Sequence, residues 1–105
     1  MIEAPVKMLL IFIDETDTWQ NTPLHEAVVR VLEQNGIAGA TVIHGIMGYG
    51  IHRRIHRKGL LGVSDDKPVT ITAIDNEKKL RDGLPTIRLM IREGLIGLTD
   101  FEVIP

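Results

Sequence analysis

Short apolar runs separated by amphipathic stretches set the pattern of this chain of 105 residues. MLLIFI at 8–13 is continuously apolar, ATVIHGI at 40–46 is rich in β-branched residues, and VTITAI at 69–74 alternates with a period of two. Each pattern is typical of a strand. TDFEVI at 99–104 predicts a last strand, so the chain carries four strand-like segments.

Two intervening segments repeat their apolar residues at helical spacing. Thr-Pro at 22–23 predicts the start of the first helix, with a capping hydroxyl before the proline, and Asn-Gly at 35–36 predicts its end. Asp-Asn at 75–76 can cap the second helix. Gly-Leu-Pro at 83–85 interrupts that helix, and we expect a kink or two short helices there.

The resulting order β-α-β-β-α-β predicts an α+β fold, a ferredoxin-like sandwich with an antiparallel sheet and both helices on one face. No shift in composition indicates a linker, so we expect residues 1–105 to form one domain with a long loop at about 47–66. MLLIFI is apolar on both faces, whereas the helices cover only one. We therefore expect a homo-oligomer whose sheets pack on one another, the alternative being a loop or terminus over that face.

Composition narrows the class of protein. A hydrophobic content of 44% and a charged content of 25% are typical of soluble globular proteins. The chain has no cysteine, which excludes disulfides, thiolate metal sites and a cysteine nucleophile. Its N-terminal apolar run is too short for a membrane span or a signal peptide, so we expect a cytoplasmic protein without membrane insertion.

The segment GYGIHRRIHRKG at 48–59 concentrates positive charge in a chain whose net charge is −2. Glycines let a backbone approach a ligand, guanidinium groups grip phosphate oxygens in pairs, and a tyrosine offers a face for stacking. A local cationic patch on an acidic chain indicates a small anionic ligand rather than nucleic acid, although a solvated cationic loop is equally compatible. The candidate binding residues here are Gly48, Tyr49, Gly50, Arg53, Arg54, Arg57 and Lys58.

The histidines offer a different chemistry. His52 and His56 are four residues apart, a spacing that can ligate zinc, but no third ligand follows before Asp65. His44 lies within a predicted strand and is expected to be a hydrogen-bonded structural histidine, and His25 is expected at the surface of a helix. Metal binding by His52 and His56 is therefore the alternative to anion binding.

No catalytic constellation is recognisable in the sequence. The loop after the first strand, DETDTWQN at 14–21, has no cation, unlike the phosphate loop of acylphosphatases. Ser64 is the sole serine and lies in a turn without a motif. We therefore expect a protein that is not an enzyme and has no catalytic residues, with a small phosphoryl-handling enzyme kept as a third interpretation.

Three segments resemble an uncharacterised family of short bacterial and archaeal proteins that is related in fold to the PII signalling proteins. They are GIAGATVIHGIMGYGIHRRIH at 36–56, SDDKPVTITAID at 64–75 and LPTIRLMIREGLI at 84–96. The resemblance implies a homotrimer with its sheets facing the centre and an adenine nucleotide in each cleft between subunits. It also implies that the long loop docks a partner protein, such as a membrane transporter or channel.

The resemblance assigns two loops to the nucleotide cleft. Residues 48–50 match the Gly-aromatic-Gly at the base of the long loop. Residues 93–97 match a glycine-containing loop before the last strand, with Gly94, Ile96 and Gly97 as its candidate binding residues.

One departure from PII proper concerns the phosphate. There the second loop ends in a glycine and a phosphate-holding lysine, and those positions align with Thr99 and Asp100 here. The resemblance then leaves the phosphate to the cations of 53–58, which favours AMP or ADP over ATP. No cofactor is required in this interpretation. A metal-binding trimer resembling the cation-tolerance proteins, with His52 and His56 as ligands, is the alternative that shares the fold.

Overall fold

The computed structural model describes residues 2–48 and 67–105, and it forms one four-stranded sheet, one small hairpin and two helices. The elements in chain order are β1 (Val6–Asp14), β2 (Thr18–Trp19), β3 (Thr22–Pro23), α1 (Leu24–Gln34), β4 (Gly39–His44), β5 (Pro68–Asn76), α2 (Glu77–Met90) and β6 (Leu95–Asp100). Within these ranges neither helix is both long and apolar enough to cross a membrane.

The large sheet has the strand order β4-β5-β1-β6, and its neighbouring strands all run antiparallel. Together with two helices, this order confirms the predicted ferredoxin-like α+β fold. β4 and β6 are the two edge strands, and β2 and β3 form a separate hairpin. The segment expected to be a polar loop therefore contains a short strand, Thr18–Trp19, whose turn at Gln20 and Asn21 has positive φ angles.

The helices cover one face of the sheet and build the core there. On β1 this face carries Leu9, Ile11 and Ile13, which are at most 6% exposed. They cluster with Val28 and Leu32 of α1 and with buried residues of β5 and α2. Alternate residues of a strand point to opposite faces, so the intervening residues of β1 lie on the uncovered face.

The buried carboxylate of Asp75 connects two segments of the covered layer. Asp75 is 3% exposed, and it accepts hydrogen bonds from the backbone N–H groups of Ala38 at 2.8 Å and Asn76 at 2.6 Å. Lys79 Nζ lies 3.1 Å from its Oδ2. Burial by itself raises the pKa of the Asp75 carboxyl, but these donors and the lysine outweigh it and hold the pKa below its usual range. Asp75 therefore fastens the segment before β4 to the start of α2 as a charged group.

The first helix has its predicted end but not its predicted start. Gly36 adopts a φ of +72° directly after Asn35, which caps α1, as the Asn-Gly pair predicts. At the other end, Pro23 is the N-cap residue and no side chain caps the helix. Thr22 pairs with Trp19 in the hairpin, so the prediction of a Thr22 cap is wrong.

The second helix is capped as predicted but is not divided. The Asn76 side chain accepts a hydrogen bond from the Lys78 backbone N–H at 2.9 Å. α2 then runs continuously with Pro85 inside it, so two short helices do not form. Leu80 and Ile87, on either side of the proline, are fully buried, and this packing outweighs the hydrogen bond that proline lacks.

The last strand begins earlier in the chain than predicted. Leu95–Asp100 pairs with β1, whereas the sequence pattern favoured 99–104 and a turn at 93–97. The Phe101 backbone N–H still reaches the Val6 carbonyl at 3.2 Å. β1 begins at Val6, so the residues after Phe101 have no strand beside them to pair with.

Candidate functional site

One row of paired residues locates the two predicted binding loops. Ile43 of β4 is opposite Thr70 of β5, and Phe12 of β1 is opposite both Thr70 and Leu95 of β6. The chain leaves β4 just beyond this row and enters β6 just before it. Both loops therefore start from the same end of the sheet.

The two loops nevertheless join strands at opposite edges of that end. β4 precedes Gly48 and β6 follows Gly94, and two strands separate β4 from β6. At the usual spacing of strands, the edges are about 14 Å apart. Within one chain the two edge strands are therefore not neighbours, although Gly48 reaches back over the start of β5 and Gly94 lies against the end of β1.

Packing against Pro68 explains two of the glycines that follow β4, Gly45 and Gly48. A Cβ added to Gly45 would lie 2.6 Å from Pro68 Cγ, and one added to Gly48 would lie 3.1 Å from the same atom. The first distance is a clash and the second is a tight contact. These glycines therefore let the chain pass closely over Pro68, at the start of β5.

Gly94 is required by its conformation as well as by its neighbours. Its φ is +153°, and an added Cβ would lie 2.7 Å from the Phe12 carbonyl oxygen and 2.9 Å from Ile91 Cγ2. Side chains rarely adopt this φ. Gly94 thus fixes how the chain turns from α2 into β6 against the end of β1.

The other two candidates in this loop lie within β6. Ile96 is opposite Ile11 on the covered face and packs against the core, so its backbone rather than its side chain is available to a ligand. Gly97 is opposite Leu10 on the uncovered face, and nothing in the described chain lies within 4 Å of an added Cβ. Contacts within the described chain do not explain a glycine at this strand position.

The remaining predicted site residues lie outside the described ranges. They are the nucleotide candidates Tyr49, Gly50, Arg53, Arg54, Arg57 and Lys58 and the metal candidates His52 and His56. Among residues 2–48 and 67–105, no group of three histidine or acidic side chains is placed to hold a metal ion.

The positions aligned with the phosphate-holding lysine are far from these loops. Asp100 is opposite Lys7, and its carboxylate pairs with the Lys7 ammonium, which lowers the pKa of Asp100 and raises that of Lys7. Along a strand, Asp100 lies about 17 Å from Leu95. Thr99 and Asp100 thus lie well along β6 from Gly94, and neither side chain can supply positive charge to a phosphate.

A cluster that the sequence pattern missed lies at the same end of the sheet. His44 Nδ1, at the end of β4, lies 3.3 Å from Glu15 Oε2. The Glu15 backbone N–H donates to the Lys67 carbonyl at 3.0 Å. The rings of His44 and His25 meet edge to face with centroids 5.7 Å apart, and His25 Nδ1 is buried without a partner in the described chain. His44 thus has the polar partner expected of it, while His25 is less exposed than predicted.

Comparison with known sequences identifies relatives along almost the whole chain. Residues 6–103 match the family DUF190, which is described as Uncharacterized ACR. A UPF0166 protein of Methanocaldococcus jannaschii is 35% identical over 104 residues, which are 98% of this chain and 94% of that protein. A UPF0166 protein of Aquifex aeolicus is 34% identical over 98 residues, which are 93% of this chain and 92% of that protein.

Comparison with solved structures identifies the fold. CPII from Thiomonas intermedia K12, a nitrogen regulatory PII-like protein, bound to ADP, AMP and acetate, superimposes with a TM-score of 0.66 at 20% identity, covering 95% of this chain and 89% of CPII. The divalent ion tolerance protein CutA1 from Ehrlichia chaffeensis superimposes with a TM-score of 0.62 at 12% identity, covering 95% and 84%. At these identities the comparison shows a shared fold.

Proposed function

Because this chain belongs to the uncharacterised family DUF190 and has the fold of PII-like proteins, we propose that it is a cytoplasmic PII-like regulator that binds an adenine nucleotide. The nucleotide binds in clefts between subunits of a homotrimer. AMP or ADP is the favoured ligand, since CPII was crystallised with both. The protein acts by binding and not by catalysis.

The observation that carries this proposal is the position of the two loops. The loop with Gly48 leaves the edge strand β4 and the loop with Gly94 enters the opposite edge strand β6, at one end of the sheet. When copies meet edge to edge, the β4 edge of one and the β6 edge of the next face each other. In the proposed oligomer, a cleft between these edges uses both loops, as the resemblance to PII proteins implies.

The uncovered face of the sheet supports an oligomer. Ile43, Phe12 and Leu95 form one row across this face and are 53%, 43% and 50% exposed. Three large apolar side chains in a row of four, with Thr70 between Ile43 and Phe12, indicate an interaction surface. A trimer that buries this row would also hold the subunit edges together.

The regulatory step is a shift between conformations of segment 47–66. Bound nucleotide favours the conformation that contacts its phosphates, and only by binding that conformation more tightly does it change the population. The same segment docks a partner protein, such as a membrane transporter or channel, so the nucleotide controls docking. Arg53 and Arg54 supply positive charge to the phosphates in this proposal.

Calorimetric titration with AMP, ADP and ATP, together with the mass of the assembly, tests the proposal. We expect one of these nucleotides to bind a trimer, and the double variant Arg53→Ala, Arg54→Ala to bind about tenfold more weakly while the mass stays the same. The matched control is Arg30→Ala with Arg81→Ala, which removes two helix arginines that are already paired with Glu26 and Glu77. This control should bind like the wild type.

The opposite results separate the alternatives. No binding of any adenine nucleotide, or equal binding by both double variants, would contradict the proposal. Binding of zinc or copper that is lost in His52→Ala with His56→Ala, without nucleotide binding, would instead favour the metal-binding trimer.

A further inference from the structure

The turn from α2 into β6 carries an arginine without a structural partner. Ile91 is 2% exposed and closes the core at the end of α2, whereas Arg92 beside it is exposed. Gly94, two residues later, turns the chain against β1. In the part of the chain that the structure describes, Arg92 makes no hydrogen bond or ion pair.

Other described arginines have an assignable role. Arg30 lies 3.8 Å from Glu26 and Arg81 lies 2.7 Å from Glu77, both one helical turn apart. Arg88 lies in the last turn of α2, where a positive charge interacts favourably with the helix dipole. Arg92 follows the helix and its cap residue, at the sheet end that holds the candidate cleft.

The acidic residues at this end restrict where an anion can bind. Asp14 ends β1, which is an inner strand of the sheet, and Glu15 and Asp17 follow it. Negative charge here disfavours phosphate close to β1. Arg92 precedes β6 instead and has one acidic neighbour in the chain, Glu93, so a phosphate that meets a described cation on the β6 side meets Arg92.

We infer that Arg92 binds the phosphates of the adenine nucleotide at the β6 edge of the cleft, an inference that rests on the proposed function. A guanidinium group presents two parallel N–H donors to a phosphate, a geometry that the ammonium of lysine lacks. Arg92 supplies positive charge on the side of Gly94, whereas Thr99 and Asp100 lie farther along β6 and supply none.

The experiment compares ADP binding by the wild type, Arg92→Gln and Arg88→Gln at low and high salt. Both substitutions remove one exposed positive charge from the same end of α2, so Arg88→Gln is a matched control. We expect Arg92→Gln to raise the Kd for ADP by about tenfold or more at low salt. We also expect its Kd to change less with salt than that of the wild type, because a charged contact is lost. Arg92→Lys keeps the positive charge but not the two parallel N–H donors, so its Kd for ADP should lie between those of the wild type and Arg92→Gln.

The outcomes separate this inference from the proposed function. Wild-type affinity in Arg92→Gln, or an equal loss in Arg92→Gln and Arg88→Gln, overturns the role of Arg92 while nucleotide binding stands. Weaker ADP binding with an unchanged salt dependence also overturns it, because that result indicates a structural role. Absence of binding of AMP, ADP and ATP by the wild type overturns the inference together with the proposed function.

Discussion

The two faces of the sheet are built from the same strands but differ in how far the described chain covers them. On β1, Ile11 faces the helices and is fully buried, while Phe12 faces the other way and is 43% exposed. Both residues are large and apolar. The described part of the chain, residues 2–48 and 67–105, covers one face only, and under the proposed function a second copy covers the other.

This difference separates two kinds of stability. Residues of the covered face stabilise the single chain, so their effect does not depend on protein concentration. In the proposed oligomer, residues of the uncovered face contribute through association, so their effect grows with the population of the assembly. Substitutions on neighbouring residues of one strand can therefore break one kind of stability and leave the other.

The largest expected effect is that of Ile11→Ala on the covered face. Removing a fully buried aliphatic side chain leaves a cavity, and we expect the free energy of unfolding to fall by about 2–5 kcal/mol. Urea denaturation at several protein concentrations measures it. Phe12→Ala is the neighbouring control, and its cost should vary with protein concentration, whereas that of Ile11→Ala should not. Equal concentration dependence in both variants would contradict the distinction between the faces.

Much of the covered layer could be predicted from the sequence. The runs at 8–13 and 69–74 lie within β1 and β5, because apolar periodicity follows directly from burial. The predicted last strand lay too far toward the C-terminus. The bounds of β6 depend on its partner β1, whose pairing ends at Val6. α2 passes through Pro85 because tertiary packing outweighs local propensity.

The candidate site could be predicted only as a pattern of loops. The glycines in the sequence indicated loops at 48–50 and 94–97. The structural reasons for Gly48 and Gly94, however, depend on residues that are distant in sequence. Pro68 explains Gly48 and the Phe12 carbonyl explains Gly94. The contact between His44 and Glu15 likewise depends on how β4 and the end of β1 are placed by the sheet.

The covered layer also contains the charged carboxylate of Asp75. The substitution Asp75→Ala should have the next largest effect on the free energy of unfolding. It leaves the N–H groups of Ala38 and Asn76 without their acceptor, and we expect a loss of about 2–4 kcal/mol. Asp75→Asn keeps one acceptor oxygen and should cost less. Chemical denaturation of both variants at pH 7 measures the difference. A cost for Asp75→Ala no larger than that of an exposed residue such as Glu33→Ala would contradict the role assigned to this carboxylate.

The pH dependence of stability checks the charge of Asp75. Its folded pKa lies below the usual Asp value of about 3.9, so the stability that the charge contributes is fully present above that value. It is lost as the pH falls through the folded pKa. The advantage of the wild type over Asp75→Asn should therefore be constant at neutral pH and shrink under acid conditions. A stability advantage of the wild type that grows on acidification would contradict the lowered pKa assigned to Asp75.

Gly94→Ala should have a smaller effect than the two core substitutions. The new Cβ meets the Phe12 carbonyl, and the backbone has a φ of +153°, so we expect a loss of about 1–3 kcal/mol. Gly97→Ala is the matched control on β6, since nothing described lies within 4 Å of its added Cβ. In the dissociated chain this control should be neutral or slightly stabilising. Thermal unfolding of dilute samples distinguishes Gly94→Ala from Gly97→Ala. Equal losses of stability in the two variants would contradict the structural role assigned to Gly94.

Gly97→Val is expected to have the smallest effect on the single chain and to act on the assembly instead. Valine favours a strand and meets no described neighbour, so a dissociated chain should lose almost no stability. Glycine within a strand often marks the close approach of another backbone, and Gly97 lies on the uncovered face opposite Leu10. Sedimentation equilibrium should therefore show weaker association for Gly97→Val. Thr99→Val, on the same face and strand, should associate like the wild type because it keeps the volume of the side chain. If Gly97→Val associates as strongly as this control, Gly97 is not a point of contact between copies, and the row formed by Ile43, Phe12 and Leu95 must be covered without a close approach at β6.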